Sequence, residues 1–281
     1  MYFLLVAAAM LYAAQFVFHQ KFEKLRGSEI DASLLFQMSV GICIVVYMFL
    51  LNGFRIRVTL FSLIMAMVLA IDIMCYVHFS MKAFMSCNLS VFSIFAMLGG
   101  MLLPFGYGII FCKEEITVAK VICCIAIIIS LALTFEKGNK DMKNRKYYLA
   151  VFVFNGLSGV ISSFHQSHTH ICTDSISFVA MAYAGVFGIS LVWYFIRNKK
   201  VVRLNRKEFK NTLCYAVCNG TAVLFALTAL TELPTSVQYP IITGGVIFFS
   251  TIVCITTEKR IIAREICSAI VALIAACVIA V

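Results

Sequence analysis

The chain alternates long apolar runs with short polar junctions. Ten runs approach or reach the ~20 residues a helix needs to cross a bilayer, where backbone polar groups must be paired within the segment. They are Tyr2–Phe18, Ala32–Leu51, Leu60–Phe79, Leu89–Phe111, Thr117–Phe135, Tyr147–Phe164, Ile176–Ile196, Phe209–Leu230, Thr235–Ile255 and Ile261–Val281. The expected fold class is all-α, a polytopic membrane protein with ten transmembrane helices. Five runs fall in each half, 1–138 and 139–281. Five is odd, so the second half enters the membrane from the opposite side, and the expected architecture is a pair of inverted five-helix repeats.

Sequence echoes support the duplication. Ala83 to Val91 is followed by an apolar run, Gly99-Gly100 and Glu114; Ala229 to Val237 is followed by another, Gly244-Gly245 and Glu258. Phe18-His19-Gln20 returns as Phe164-His165-Gln166. Both echoes have an offset of about 145 residues, near half the chain.

Composition agrees with a lipid environment. Hydrophobic residues make up 62% of the chain and charged residues 13%, against about a quarter charged in a soluble domain. The N-terminal run lacks the basic start and cleavage site of a signal peptide. The twelve cysteines are scattered without a CxxC pair, so neither a disulfide framework nor a metal site is expected. Nineteen of the 23 Lys and Arg residues fall on odd-numbered connections and four on even ones. That bias places the odd connections in the cytoplasm and both termini outside, in an inner or plasma membrane. Anionic headgroups account for the net charge of +10, and no nucleic-acid partner is implied.

The stretch from Leu233-Pro234-Thr235-Ser236-Val237-Gln238-Tyr239-Pro240 through Gly244-Gly245 to Glu258 resembles the third helix of the small multidrug resistance proteins. Its earlier copy, Ala83 to Glu114, resembles the matching segment of EamA-type transporters. Both belong to the drug/metabolite transporter superfamily. The resemblance implies ten helices in two inverted halves around a central cavity, with Gln238 and Tyr239 pointing into it. The chain departs from that pattern in three ways. Glycine pairs stand where relatives often carry a proline in helices 4 and 9. No glutamate lies in the first helix of either half. The charge bias puts the termini outside, where larger relatives have them inside.

Candidate chemistry is sparse. Asp72 is the one acid within an apolar run, so it faces a cavity or is protonated. Tyr76 lies one turn on. The functional reading is a bound substrate amine or a coupling proton; the structural one is a neutral acid bonded between helices. The mirror region holds Asn219 with Tyr215, and Asn155 is a further polar group in an apolar run. For each Asn, ligand contact and an interhelical hydrogen bond are equally open. Tyr12, Phe16, Phe92 and Phe95 supply an aromatic wall suited to a cation or an aromatic ring. Gly99, Gly100, Gly244 and Gly245 mark either hinges or close approaches. The stripe Ala180, Ala184, Gly188 and the pairs Gly159/Ser163 and Ala9/Ala13 mark tight helix packing. His165, His168 and His170 cluster beside Asp174, but His19 mirrors His165 without companions, which favours a role in the repeated fold. No nucleotide-binding loop or catalytic triad is present, so neither an enzyme nor an ATP-driven pump is expected, and no cofactor. The expected function is a secondary or facilitative transporter of a small organic metabolite, working by alternating access. A flippase for a lipid-linked carrier, or a membrane scaffold or receptor, are the alternatives.

Overall fold

The computed structural model describes residues 1–85, 89–115, 145–198 and 203–258, with scattered positions between 117 and 129 and between 266 and 274. Eight helices are long and apolar enough to span a membrane, and the chain is an integral membrane protein. They are α1 Tyr2–Arg26, α2 Ile30–Leu51, α3 Leu60–Phe84, α4 Leu89–Ile110, α5 Arg145–Ser167, α6 Ser175–Asn198, α7 Arg206–Leu230 and α8 Thr235–Glu258. Predicted segments five and ten lie for the most part outside the described residues, as do the junction residues 86–88 and the basic run 137–144.

The first helix runs two turns past the predicted end at Phe18, because His19, Gln20 and Phe22 are buried against its neighbours. It stops at Gly27, whose φ of 87° is one that glycine adopts without steric cost. Two starts are capped alike. Thr59 accepts from Ser62 N at the head of α3, and Asn205 forms a full capping box with Glu208 at the head of α7. These caps are separated by nearly the offset of the sequence echoes.

Helices pack mainly across the two halves. α1 meets α7 and α8, α2 meets α6 and α7, α3 meets α5 and α6, and α4 meets α5 and α8. Exchanging α1–α4 with α5–α8 leaves this set of pairings unchanged. Specific contacts give the directions. Arg26–Glu208 makes α1 and α7 antiparallel; Asp31–Arg197, together with Gly41 against Tyr183, does the same for α2 and α6. Phe61–Phe164 and Phe79–Phe154 make α3 and α5 antiparallel. Phe95–Tyr148 and Gly100–Asn155 make α4 and α5 parallel. Basic residues of the described connections gather at the end marked by Arg26, Lys82, Arg197 and Arg206; Thr59, Ser167 and Leu230 mark the other.

The glycine pairs sit at close helix approaches. A Cβ on Gly99 would lie 1.8 Å from the backbone oxygen of Phe152, and one on Gly100 2.5 Å from Asn155 Nδ2. On α8, a Cβ on Gly245 would lie 2.7 Å from that of Ala9. Gly100 facing α5 and Gly245 facing α1 are the same contact made once in each half, which accounts for their duplication. Both helices continue through the pairs without interruption. They also carry prolines, Pro104 and Pro240, which corrects the expectation that glycines stand in place of proline. Pro104 packs at Gly159, where a Cβ would meet its Cγ at 2.5 Å. The Ala180–Ala184–Gly188 stripe is not the packed face of α6: Ala184 is exposed, and a Cβ at Gly188 would meet nothing within 4 Å. The close approach is at Gly185, against Ala70 and Met67.

The acid that ends the first echo has a structural task. Glu114 accepts from the backbone N–H groups of Thr235 and Ser236 at 3.2 and 3.1 Å, so it caps the start of α8 from across the molecule. Those groups have no intrahelical acceptor, and a carboxylate there also meets the positive end of the helix dipole. Glu114→Ala is expected to cost about 1–2 kcal/mol in reversible unfolding, the size of a lost cap. An unchanged melting temperature would refute the assignment.

Candidate functional site

Two buried clusters make up the interior. One joins α2, α3, α6 and α7; the other joins α1, α4 and α8. Between them lies a cavity of about 160 Å³. It draws on α1, α3 and α4 from one half and on α5, α6, α7 and α8 from the other. On α7 the lining runs from Tyr215 to Leu230, so the space extends toward the end opposite the basic residues.

The structure brings six of the predicted site residues together. Tyr12, Tyr76, Asn155, Tyr215, Asn219 and Tyr239 all line the cavity, as does Gly100. Asn155 donates to Ala96 O at 2.7 Å, tying α5 to α4. Asn219 donates to the Tyr183 hydroxyl. Tyr239 donates to Gly159 O at 3.0 Å. Each of these groups thus joins helices and also faces the cavity.

Two predicted residues are not on the lining. Gln238 is fully buried and donates to Ala226 O at 2.7 Å, back toward α7. Asp72 is 3% exposed, and neither carboxylate oxygen has a hydrogen-bond partner among the described residues. Leu69, Ile73, Tyr76 and Val77 form the cavity face of α3. One residue turns a helix by about 100°. Asp72 shares its face with Phe79, two turns on, which stacks on Phe154 of α5. The acid therefore sits at the α3–α5 seam beside the cavity. Aligned on the caps Thr59 and Asn205, the counterpart of Asn219 is Ile73 rather than Asp72. The predicted aromatic wall also divides. Tyr12 lines the cavity, Phe16 and Phe92 pack edge-to-face at 5.1 Å in the interior, and Phe95 stacks on Tyr148.

Five polar lining residues escaped the sequence reading: Gln15, Ser158, Ser162, Tyr183 and Thr243. Tyr183 and Gln15 carried a signal, since each is a polar group within an apolar run. Gln15 is buried and its amide oxygen has no partner.

Contacts between the halves lie toward both ends of the cavity. At the basic end, His19 stacks on Phe36 with centroids 4.7 Å apart and meets Phe84 and Tyr215 edge-on. Below this aromatic floor, Arg26 donates to both oxygens of Glu208 at 3.1 and 3.2 Å. At the opposite end, His165 stacks on Phe178 at 3.8 Å and shares a 2.8 Å hydrogen bond with Ser62. Ser62 also accepts from Thr173 N, and Thr59 donates to Ile171 O. The two echoed histidines therefore do one job at opposite ends, each stacked on a phenylalanine of the second helix in its half. His168 bonds within its own turn to Phe164 O, and His170 is exposed.

No family model matches the chain, and no curated protein matches it. Among solved structures, a chain described as "Crystal structure of protein" is similar with a TM-score of 0.71. Identity is 12%, and the match covers 98% of this chain and 94% of that one. At that identity the likeness is one of fold alone.

Proposed function

We propose that the protein is a secondary or facilitative transporter that carries a small organic solute by alternating access. One observation carries the reading: a cavity between two sets of helices, lined by several polar side chains in an otherwise apolar wall, with contacts joining one set to the other toward each end. A scaffold has no use for such a space, and moving a solute through it requires only that these contacts open in turn.

The pairings that survive exchange of the halves, together with the antiparallel α2–α6 pair, support an inverted repeat. The parallel run of α4 and α5 supports a fifth crossing, because the chain between them must return the length of a helix. Inverted five-helix halves are what the resemblance to drug/metabolite transporters implies, and membership in that superfamily belongs to this proposal. A flippase is the weaker reading, since a cavity of about 160 Å³ is small for a lipid tail.

The test is a reversible lock. Arg26→Cys with Glu208→Cys, in a background free of other cysteines, is cross-linked in proteoliposomes. Solute exchange is expected to stop on cross-linking and return on reduction. Exchange that continues unchanged in the locked protein would defeat alternating access.

Asp72 gives a second measurement. An unpartnered carboxylate within a membrane-spanning helix is costly when ionised, so a proton taken up there is held strongly enough to be worth testing as the coupling ion. Asp72→Asn is expected to fold as well as the parent. If the acid carries a coupling proton, the variant loses the pH dependence of transport while binding solute unchanged. An intact pH profile would leave Asp72 with a purely structural part.

A further inference from the structure

We infer that the solute taken by this cavity is uncharged: a small molecule that offers hydrogen-bonding groups but no formal charge. The inference rests on reading the cavity as the solute site. Among the described residues, no Asp, Glu, Lys, Arg or His lines it. The nearest acid along the lining helices, Asp72, is turned into the α3–α5 seam.

The polar groups that do line the cavity are suited to neutral oxygen and nitrogen. Among the described residues, the hydroxyls of Tyr12 and Tyr215 have no hydrogen-bond partner within the protein. Tyr183 accepts from Asn219, which leaves its own proton to donate. Phenol donors together with amide acceptors pair with the hydroxyls, carbonyls and amides of a neutral solute. A charged one would lose its hydration with no opposite charge in reach. The tyrosine rings add apolar faces for a ring. They also permit a cation–π contact, the one attraction here that favours a cation. That attraction opposes the loss of a full hydration shell without a counter-ion, and the lining lacks the carboxylate that would tip the balance.

The experiment compares compounds matched in size and differing in charge, by thermal shift and equilibrium binding on the purified full chain. The pairs are tyrosol with tyramine, and 3-(4-hydroxyphenyl)propionamide with 3-(4-hydroxyphenyl)propionate. At least one neutral member is expected to bind roughly a hundredfold more tightly than its charged partner. Asn219→Asp, which adds a carboxylate to the lining, is expected to shift preference toward tyramine by roughly tenfold or more. Tighter binding of either charged member to the unmodified protein overturns the inference, as does binding of neither neutral member at millimolar concentration. The readout is independent of flux. Binding of a neutral solute without its transport would defeat the transporter reading and leave the charge assignment. Transport of a charged solute would do the reverse.

Discussion

Arg26→Ala is expected to destabilise the protein by about 3 kcal/mol, and Glu208→Gln by about 1–2 kcal/mol, although both remove the same ion pair. The difference comes from what is left behind. The Arg26 side chain is 28% exposed and that of Glu208 is 2% exposed. Without Glu208, the guanidinium can swing on its apolar stem toward water and headgroups. Without Arg26, the carboxylate stays buried with only the Asn205 backbone N–H to answer it. Glutamine also keeps the reciprocal cap at the head of α7, because an amide oxygen serves there as well as a carboxylate. Chemical unfolding of both variants in detergent checks the order. Equal losses, or a larger loss for Glu208→Gln, would show that the pair is effectively solvated. Either variant should also loosen the contacts at the basic end and raise labelling of a thiol placed below the aromatic floor.

Gly99→Ala is expected to cost 3 kcal/mol or more, whereas Gly100→Ala should cost about 1 kcal/mol. Overpacking costs roughly 1–3 kcal/mol where neighbours can yield. At Gly99 the neighbour is the main chain of Phe152, so α4 and α5 have to separate along their whole contact. At Gly100 the neighbour is the tip of Asn155, which can rotate away at the loss of its bond to Ala96. The yield of monodisperse protein and its melting temperature separate the two. If the pair serves as a hinge instead, both alanine variants will fold alike and differ in transport rate alone.

The echoes stood out in the sequence because they fall on residues with strict geometric duties. Gly100 and Gly245 recur because the fourth helix of each half meets the first helix of the other at that level. His19 and His165 recur because each makes contacts toward one end. The helix faces were much harder to read. In a soluble helix the polar stripe reports the exposed side. Here lipid and protein interior are both apolar, so α3 shows no periodicity to say that Ile73, not Asp72, meets the cavity. The same lack hid the packed face of α6, where spaced small residues pointed to Ala184 and Gly188 while the contact runs through Gly185. Among polar residues in apolar runs, Asn155 and Asn219 line the cavity and Asp72 does not; Tyr12 was read as part of an aromatic wall, and Tyr215 through its place a turn from Asn219. Tyr183 was passed over because it lies inside that conspicuous run of small residues.

The pairing of each helix with partners from the other half also governs how the protein is made. When the ribosome has released α1 to α4, most of their eventual neighbours do not yet exist. The early helices are therefore expected to remain loosely associated in lipid until α8 has been inserted, with assembly late and concerted rather than half by half. A nascent chain truncated after α4 should be readily degraded by membrane proteases. Two fragments covering 1–138 and 139–281, made in the same cell, should rescue one another by lateral association.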